Sequence, residues 1–194
     1  MGIARGTPSP YCTIGPFFPT QFAEDCSDLT RFEGKTARGQ HIILTGRMVE
    51  EGNVPAGNAI LEIWQADGNG VFRHPLDARC SEADPGFYGW GRARTNADGR
   101  YSFRTVMPGS YGGRCAHVNL MVLAIGLTRR LATTVFFGDS SREVDDPVLR
   151  CVTDQAVRRR LFAIRDELFD AAGAVGYRFD VVLRGENETP FFLD

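Results

Sequence analysis

Arg92-Ala93-Arg94-Thr95-Asn96-Ala97-Asp98-Gly99-Arg100-Tyr101-Ser102-Phe103-Arg104-Thr105-Val106 carries the clearest local signal in this 194-residue chain. Asp98-Gly99 offers the residue types that a tight reversal needs, and alternating residues flank it on both sides. The pattern predicts a hairpin. A strand ends at Arg92–Thr95, the chain turns at Asn96-Ala97-Asp98-Gly99, and Arg100–Val106 pairs back.

Working upstream, Ala59–Gln65 reads as a strand, with Ile60 and Glu62 alternating against Leu61 and Ile63. His41–Val49 is a longer one, Glu51-Gly52-Asn53 is a turn and Ala66–Gly70 is a loop. Downstream, Met107-Pro108-Gly109 stops the hairpin strand. Ala116–Ala124, Ala132–Phe137 and Tyr177–Leu183 are further strand-like runs. Between Asp146 and Ala172 two readings stand. Leu161, Ile164 and Leu168 recur at helical spacing and Asp154 could cap a helix to about Leu161, while Leu161–Arg165 fits a strand equally well. Strand patterns separated by turns every 8–12 residues favour a mainly β chain: a mixed-topology β-sandwich with short helices.

Residues 1–38 differ from the rest. Thr7-Pro8-Ser9-Pro10 and Gly15-Pro16-Phe17-Phe18-Pro19 exclude helix, because each proline lacks an N–H and restrains its predecessor. Phe17, Phe18 and Phe22 are costly to leave in water. An extended N-terminal arm lying across another surface, of this chain or of a partner, is expected over 1–38, with the sandwich over 39–194 in one domain.

Composition narrows the function classes. Hydrophobic residues make up 43% and charged residues 24%, which excludes disordered, collagenous and coiled-coil chains. No apolar run approaches the ~18 residues of a membrane span. The start MGIARGTPSPYCT has no apolar segment of the secretory kind, so a cytoplasmic protein is expected. Net charge is −2, Lys35 is the single lysine and Arg158-Arg159-Arg160 is the densest basic run, which makes no electrostatic case for nucleic acid. Five cysteines with no CxxC pair read as free thiols.

Four separated segments, in order, resemble the intradiol ring-cleaving dioxygenases. They are Thr7–Phe17, Leu61–Gly70, Asp98–Gly109 and Tyr177–Glu186. The resemblance implies a transthyretin-like sandwich and cleavage of a catechol ring by O2 at a non-haem ferric ion. It is closest to the members built from two homologous chains. There the beta-type chain holds the iron with two Tyr and two His, and the alpha-type chain carries a degenerate copy of the site. Ala116-His117-Val118-Asn119 has the alpha form, His-x-Asn in place of His-x-His.

The implied ligand positions fall at Phe72, Tyr111, His117 and Asn119, and the family's pocket arginine falls at Arg114. Ferric iron is hard and highly charged, so phenolates and imidazoles suit it. Phe72 has no oxygen to give, and Asn119 offers a neutral amide on the strand face that His117 shares. Tyr111 and His117 are therefore residual candidates for a metal, or hydrogen-bonded core residues left from a lost site. No catalytic residue and no metal are expected in this chain, and Fe(III) is expected on a beta-type partner in a hetero-oligomer. A structural ion pair is expected for Arg114, and a loop position for His74.

Gly109-Ser110-Tyr111-Gly112 lacks the glycine spacing of a nucleophile elbow, and Cys115 is expected to be an inert thiol. The implied reaction, in aromatic catabolism, opens 3,4-dihydroxybenzoate to 3-carboxy-cis,cis-muconate. Where the family's alpha-type chain has an arginine reaching toward substrate, this chain has Ile125. Another catechol is therefore an alternative substrate. A non-catalytic β-sandwich that binds or scaffolds is the alternative of a different class, and a self-sufficient enzyme with altered ligands is a third, which Phe72 and Asn119 oppose.

Overall fold

The computed structural model describes residues 26–138, 145–171 and 173–192. Most of the arm, with Phe17, Phe18 and Phe22, lies outside the described residues. Eleven strands are described: β1 Arg31–Phe32, β2 Lys35–Thr36, β3 His41–Val49, β4 Ile60–Trp64, β5 Trp90–Arg94, β6 Arg100–Val106, β7 His117–Leu123, β8 Leu131–Phe136, β9 Ile164–Arg165, β10 Val175–Arg178 and β11 Val181–Val182. Two short helices, α1 Pro147–Cys151 and α2 Gln155–Arg159, follow β8.

Two sheets face each other. The first is antiparallel in the order β5-β4-β7-β8. In the second, β3 is central: β6 pairs antiparallel on one side, and β10 and then β11 pair parallel on the other, with β9 outside β10. The mixed-topology sandwich expected from the sequence is the fold observed. Alternate residues of each strand meet between the sheets, among them Ile42, Leu44, Leu61, Ile63, Phe103 and Leu120. The β7 pattern shows the division: Val118, Leu120 and Val122 are buried in the core, while His117, Asn119 and Met121 share the opposite face.

The expected hairpin is not one. β5 pairs with β4 in the first sheet and β6 pairs with β3 in the second, so Asn96–Gly99 is an arch between sheets. Its turn closes as anticipated: Gly99 N–H donates to Asn96 O (3.0 Å), and the Asn96 side chain accepts from Asp98 and Arg100 N–H. Local turn chemistry fixes a reversal but not the plane in which the two strands continue. What selects the arch is β3. Met48 N–H donates to Gly99 O (2.8 Å), and Gly99 (φ 73°) packs so tightly that a Cβ would lie 2.3 Å from Met48 O.

This leaves β5 and β6 as outer strands of opposite sheets, and residues 26–29 fill the seam. Cys26 exchanges backbone hydrogen bonds with Arg92 of β5 (3.3 and 3.2 Å). Leu29 N–H donates to Arg104 O of β6 (2.7 Å), and Arg104 N–H donates to Ser27 O (2.8 Å). Both edges thereby gain backbone partners, and Leu29 is buried in the core over Gly91. Residues 26–38 thus lie across the sandwich of their own chain and carry the small β1–β2 hairpin.

Tyr177–Leu183, read as one strand, is divided at Phe179-Asp180. There the backbone of Phe179 crosses over Gly46 of β3, where a Cβ would fall 1.8 Å from Phe179 O. Buried Tyr101 donates its hydroxyl to that same oxygen (2.5 Å), and Arg47 N–H donates to the Asp180 carboxylate (2.9 Å). Gly46→Ala should therefore push β10 and β11 off β3. We expect a loss of about 1–3 kcal/mol, the usual range for overpacking, read from the denaturant midpoint.

Asp154 caps α2, accepting from Ala156 and Val157 N–H, but the helix stops at Arg159. Leu161 is buried, while Ile164 on β9 (60% exposed) and Leu168 (89%) face solvent, so the helical spacing of these three has no helix behind it. Gly176 takes the place of a helical partner: its N–H donates to the Asp170 carboxylate and its carbonyl accepts from Asp166 N–H, holding the segment as strand and 3-10 turn. Among the described residues no helix is long and apolar enough to cross a membrane.

Candidate active-site cleft

The site lies on the outer face of the β5-β4-β7-β8 sheet, where two loops meet. The first loop, after β4, is organised by Asp67, a buried carboxylate that accepts from Asn69, Val71 and Asp84 N–H (2.9–3.0 Å). Its backbone carbonyl accepts from Gly70 N–H and, across the gap, from Gly109 N–H (2.8 Å). That bond ties the loop to the second one, after β6. The second loop ends in a two-residue Gly112-Gly113 turn, with φ 53° and 77°, that pairs Tyr111 with Arg114. The two loops set Phe72 and Tyr111 edge to face, with ring centroids 4.8 Å apart.

Tyr111 in turn meets His117 at the start of β7. The His117 ring is 2% exposed. Its Nδ1 lies 2.7 Å from Cys115 O, and a carbonyl only accepts, so Nδ1 carries the proton. Nε2 is then an acceptor, and the Tyr111 hydroxyl donates to it at 3.2 Å. Burial holds the His117 pKa below its ordinary value and pushes that of Tyr111 above its own. At neutral pH the pair is a neutral imidazole and a phenol, bonded to each other.

Arg114 has the structural ion pair expected of it. Its Nε lies 2.9 Å from Asp146, which is completely buried. Asp146 also accepts from Cys115 N–H (2.9 Å) and from Val148 N–H (2.8 Å), so it caps α1 as well. Burial alone would raise its pKa; the Cys115 N–H, Arg114 and Val148 N–H bonds outweigh that and hold it below the usual carboxylate value. Sequence reasoning missed Asp146, although Asp146-Pro147 is a recognisable helix start, with a capping side chain before proline. A satellite apolar cluster of Phe136, Leu149, Leu161 and Phe162 closes over this side, with Phe136 5.6 Å from the His117 ring.

Of the positions singled out from the sequence, the structure brings Phe72, Tyr111, His117 and Arg114 into one connected group. Asn119 sits on the same β7 face, in register with Trp64 and Thr134, and its carbonyl accepts from the Thr134 hydroxyl at 3.4 Å. The donor set does not fit ferric iron. Phe72 has no ligating atom and Asn119 brings no charge, which leaves Tyr111 and His117, 3.2 Å apart, as the two remaining donors.

In front of Phe72 and Tyr111 opens a cleft of about 800 Å³, lined also by Trp64, His74, Leu76, Asp77 and Arg79. His74 is in a loop, as expected, yet it forms part of this wall.

Comparison with known proteins matches this architecture. The family model described as Dioxygenase covers residues 13–185. The chain is 34% identical to the protocatechuate 3,4-dioxygenase alpha chain of Burkholderia cepacia over 204 residues, covering 99% of both chains. It is 33% identical to the protocatechuate 3,4-dioxygenase beta chain of the same organism over 187 residues, covering 90% of this chain and 80% of that one. An intradiol ring-cleavage dioxygenase from Tetranychus urticae shares the fold, with a TM-score of 0.61 at 21% identity over 90% of this chain and 93% of that one. With both the sandwich and the sequence matched over nearly its whole length, the chain belongs to the intradiol ring-cleaving dioxygenase family of enzymes.

Proposed function

We propose that this chain is the alpha-type subunit of a two-chain protocatechuate 3,4-dioxygenase. The assembly opens 3,4-dihydroxybenzoate with O2 to 3-carboxy-cis,cis-muconate in the cytoplasm, as a step in aromatic catabolism. Fe(III) sits on a homologous beta-type chain, and residues 1–194 form one domain that shapes the shared enzyme without performing the chemistry. The observation that carries this reading is the donor set. Phe72 has no ligating atom and Asn119 offers only a neutral amide, so of the four positions only Tyr111 and His117 keep the donor types that ferric iron favours. The likeness to an alpha chain over 99% of both lengths supports it.

Ile125 supports a different catechol as the second reading. It is 52% exposed on the turn between β7 and β8, at the position where the resemblance implies an arginine reaching toward substrate. The test is co-expression with a homologous chain bearing Tyr, Tyr, His and His at the four positions. A red-brown complex containing both chains, with iron in proportion to the beta-type chain, is the expected result. A homo-oligomer that captures no such chain and cleaves no catechol would favour the scaffold alternative. A complex that cleaves catechol but not 3,4-dihydroxybenzoate would favour the second reading.

A further inference from the structure

The outer face of the second sheet lies on the far side of the sandwich from the cleft, and its register can be followed across four strands. Thr45 of β3 pairs with Ser102 of β6 on one side and with Arg178 of β10 on the other, and Arg178 pairs with Ile164 of β9. One row therefore runs Ser102-Thr45-Arg178-Ile164, about 14 Å wide at ~4.8 Å per strand. The row before it is Arg104-Ile43-Gly176, and the row after it sets Arg100 opposite Arg47. The residues between these rows, Leu44, Tyr101, Phe103 and Tyr177, point the other way, into the core. The middle of the face is flat, because Ile43, Thr45 and Ser102 are compact, and Ser102 is exposed.

Gly176 gives this face a raised edge. A Cβ there would fall 2.4 Å from Asp166 O and 2.8 Å from Phe169, so the turn Glu167–Phe169 lies over it on the outer side. The turn carries Glu167 and Leu168, both exposed, beside exposed Ile164. Two large apolar side chains thus stand in water where their own core has no use for them.

Charge is divided between diagonal corners. At the β6 corner Arg47 and Arg100 are directly opposite, a like-charge pair that favours an incoming anion. Arg47 donates to Asp98 O (3.3 Å), while Arg100 makes no salt bridge among the described residues. At the β9 corner Arg165 pairs with Asp170 (2.6 Å) and Arg178 with Asp166 (3.4 Å), while Glu167 makes no salt bridge among the described residues. A two-fold axis in the plane of the face, running across the line between these corners, lays Arg100 of each copy on Glu167 of the other. It also turns the two sets of strands to about 90° from each other, one of the two ways in which sheets stack.

We propose that a second copy of this chain covers the face, with its sheet crossed over this one, two reciprocal Arg100–Glu167 salt bridges at the corners, and Ile164 and Leu168 buried at the edge. The pairing leaves the cleft open and stands whether or not a beta-type chain is bound.

Sedimentation equilibrium of the full-length chain, expressed alone, is the test. A monomer–dimer equilibrium is expected, with Kd on the order of 1–10 μM for a patch at the small end of stable interfaces, and weaker in high salt. Ser102→Arg sets a bulky cation in the middle of the flat face, at a position already open to solvent, and should give a monomer. Arg100→Glu and Glu167→Arg each convert both reciprocal contacts into like-charge pairs, and each should weaken the dimer about tenfold or more. Mixed in equal amounts, these two variants should form a heterodimer about as tight as the wild type, since every corner then joins opposite charges. A surface that was merely damaged would not recover on mixing, so the mixture decides the matter even if Ser102→Arg does not fold. The proposal is overturned by a monomeric wild type, whether the face then takes a beta-type chain or residues 1–25. It is also overturned by a dimer that a folded Ser102→Arg leaves unchanged, or by charge variants that pair no better mixed than alone.

Discussion

Iron analysis of this chain, expressed and purified without a partner, is expected to give far less than one iron per chain and no visible absorbance. A ferric site needs anionic oxygen donors, and here one of the two positions read as tyrosine ligands is Phe72. Tyr111 is protonated at neutral pH because burial disfavours its phenolate, and its proton is held by His117. A ferric ion here would find one phenolate at most, from Tyr111, and a neutral amide at Asn119. Phe72→Tyr combined with Asn119→His restores the four donor types, yet only partial iron uptake is expected. The Thr134 hydroxyl that now meets Asn119 is not arranged to orient an imidazole, and Phe136 packs against the His117 ring. Elemental analysis and the visible spectrum decide the matter. Near one iron per chain in the wild type, with tyrosinate absorbance, would mean that the ligand positions are misread and that this chain is catalytic.

The largest effect on stability is expected at Asp146. It is fully buried, and one carboxylate serves Arg114, Cys115 N–H and Val148 N–H together. Asp146→Ala removes the anion and strands a guanidinium that is only 20% exposed, along with an uncapped helix. Breaking a buried pair in this way costs about 3–5 kcal/mol, measurable by denaturant unfolding. The pH dependence follows from the same contacts. The folded-state pKa lies below the unfolded value of about 3.9. The contribution is therefore complete well above pH 4 and is lost as pH falls through the lower folded value. Asp146→Asn should be less stable than wild type at neutral pH, and the gap should narrow in acid. A gap that stays constant from pH 7 to pH 3 would show that the carboxylate charge is not what Arg114 needs.

What the sequence made legible, and what it did not, follows from the range over which each signal acts. β3, β4, β7 and β8 were readable because burial on one face imposes a two-residue period on the chain itself. The Asp154 cap was readable because a capping side chain bonds to N–H groups two and three residues on. The arch at Asn96–Gly99 was not, because a hairpin and an arch share one turn chemistry, and only Met48, about fifty positions away, separates them. Asp146 was missed because its partners, apart from its own helix, lie some thirty residues upstream. At the site, the connected group of Phe72, Tyr111, His117 and Arg114 was anticipated through resemblance. The bond between Tyr111 and His117 was not, since only the folded loops bring those two atoms together.

The central place of β3 sets the order in which this protein can be made. Its antiparallel neighbour β6 follows at Arg100–Val106, but its parallel neighbours β10 and β11 come much later: Arg47 waits for Asp180, 133 residues on. Closing so long a loop costs entropy before any contact repays it, and topologies of this kind fold slowly. During synthesis one edge of the central strand stays open until residues 175–182 have left the ribosome. A nascent chain cut short before β10 would carry that open edge, a template for pairing with another chain. Truncation at the C-terminus should therefore produce aggregates rather than a smaller soluble sandwich.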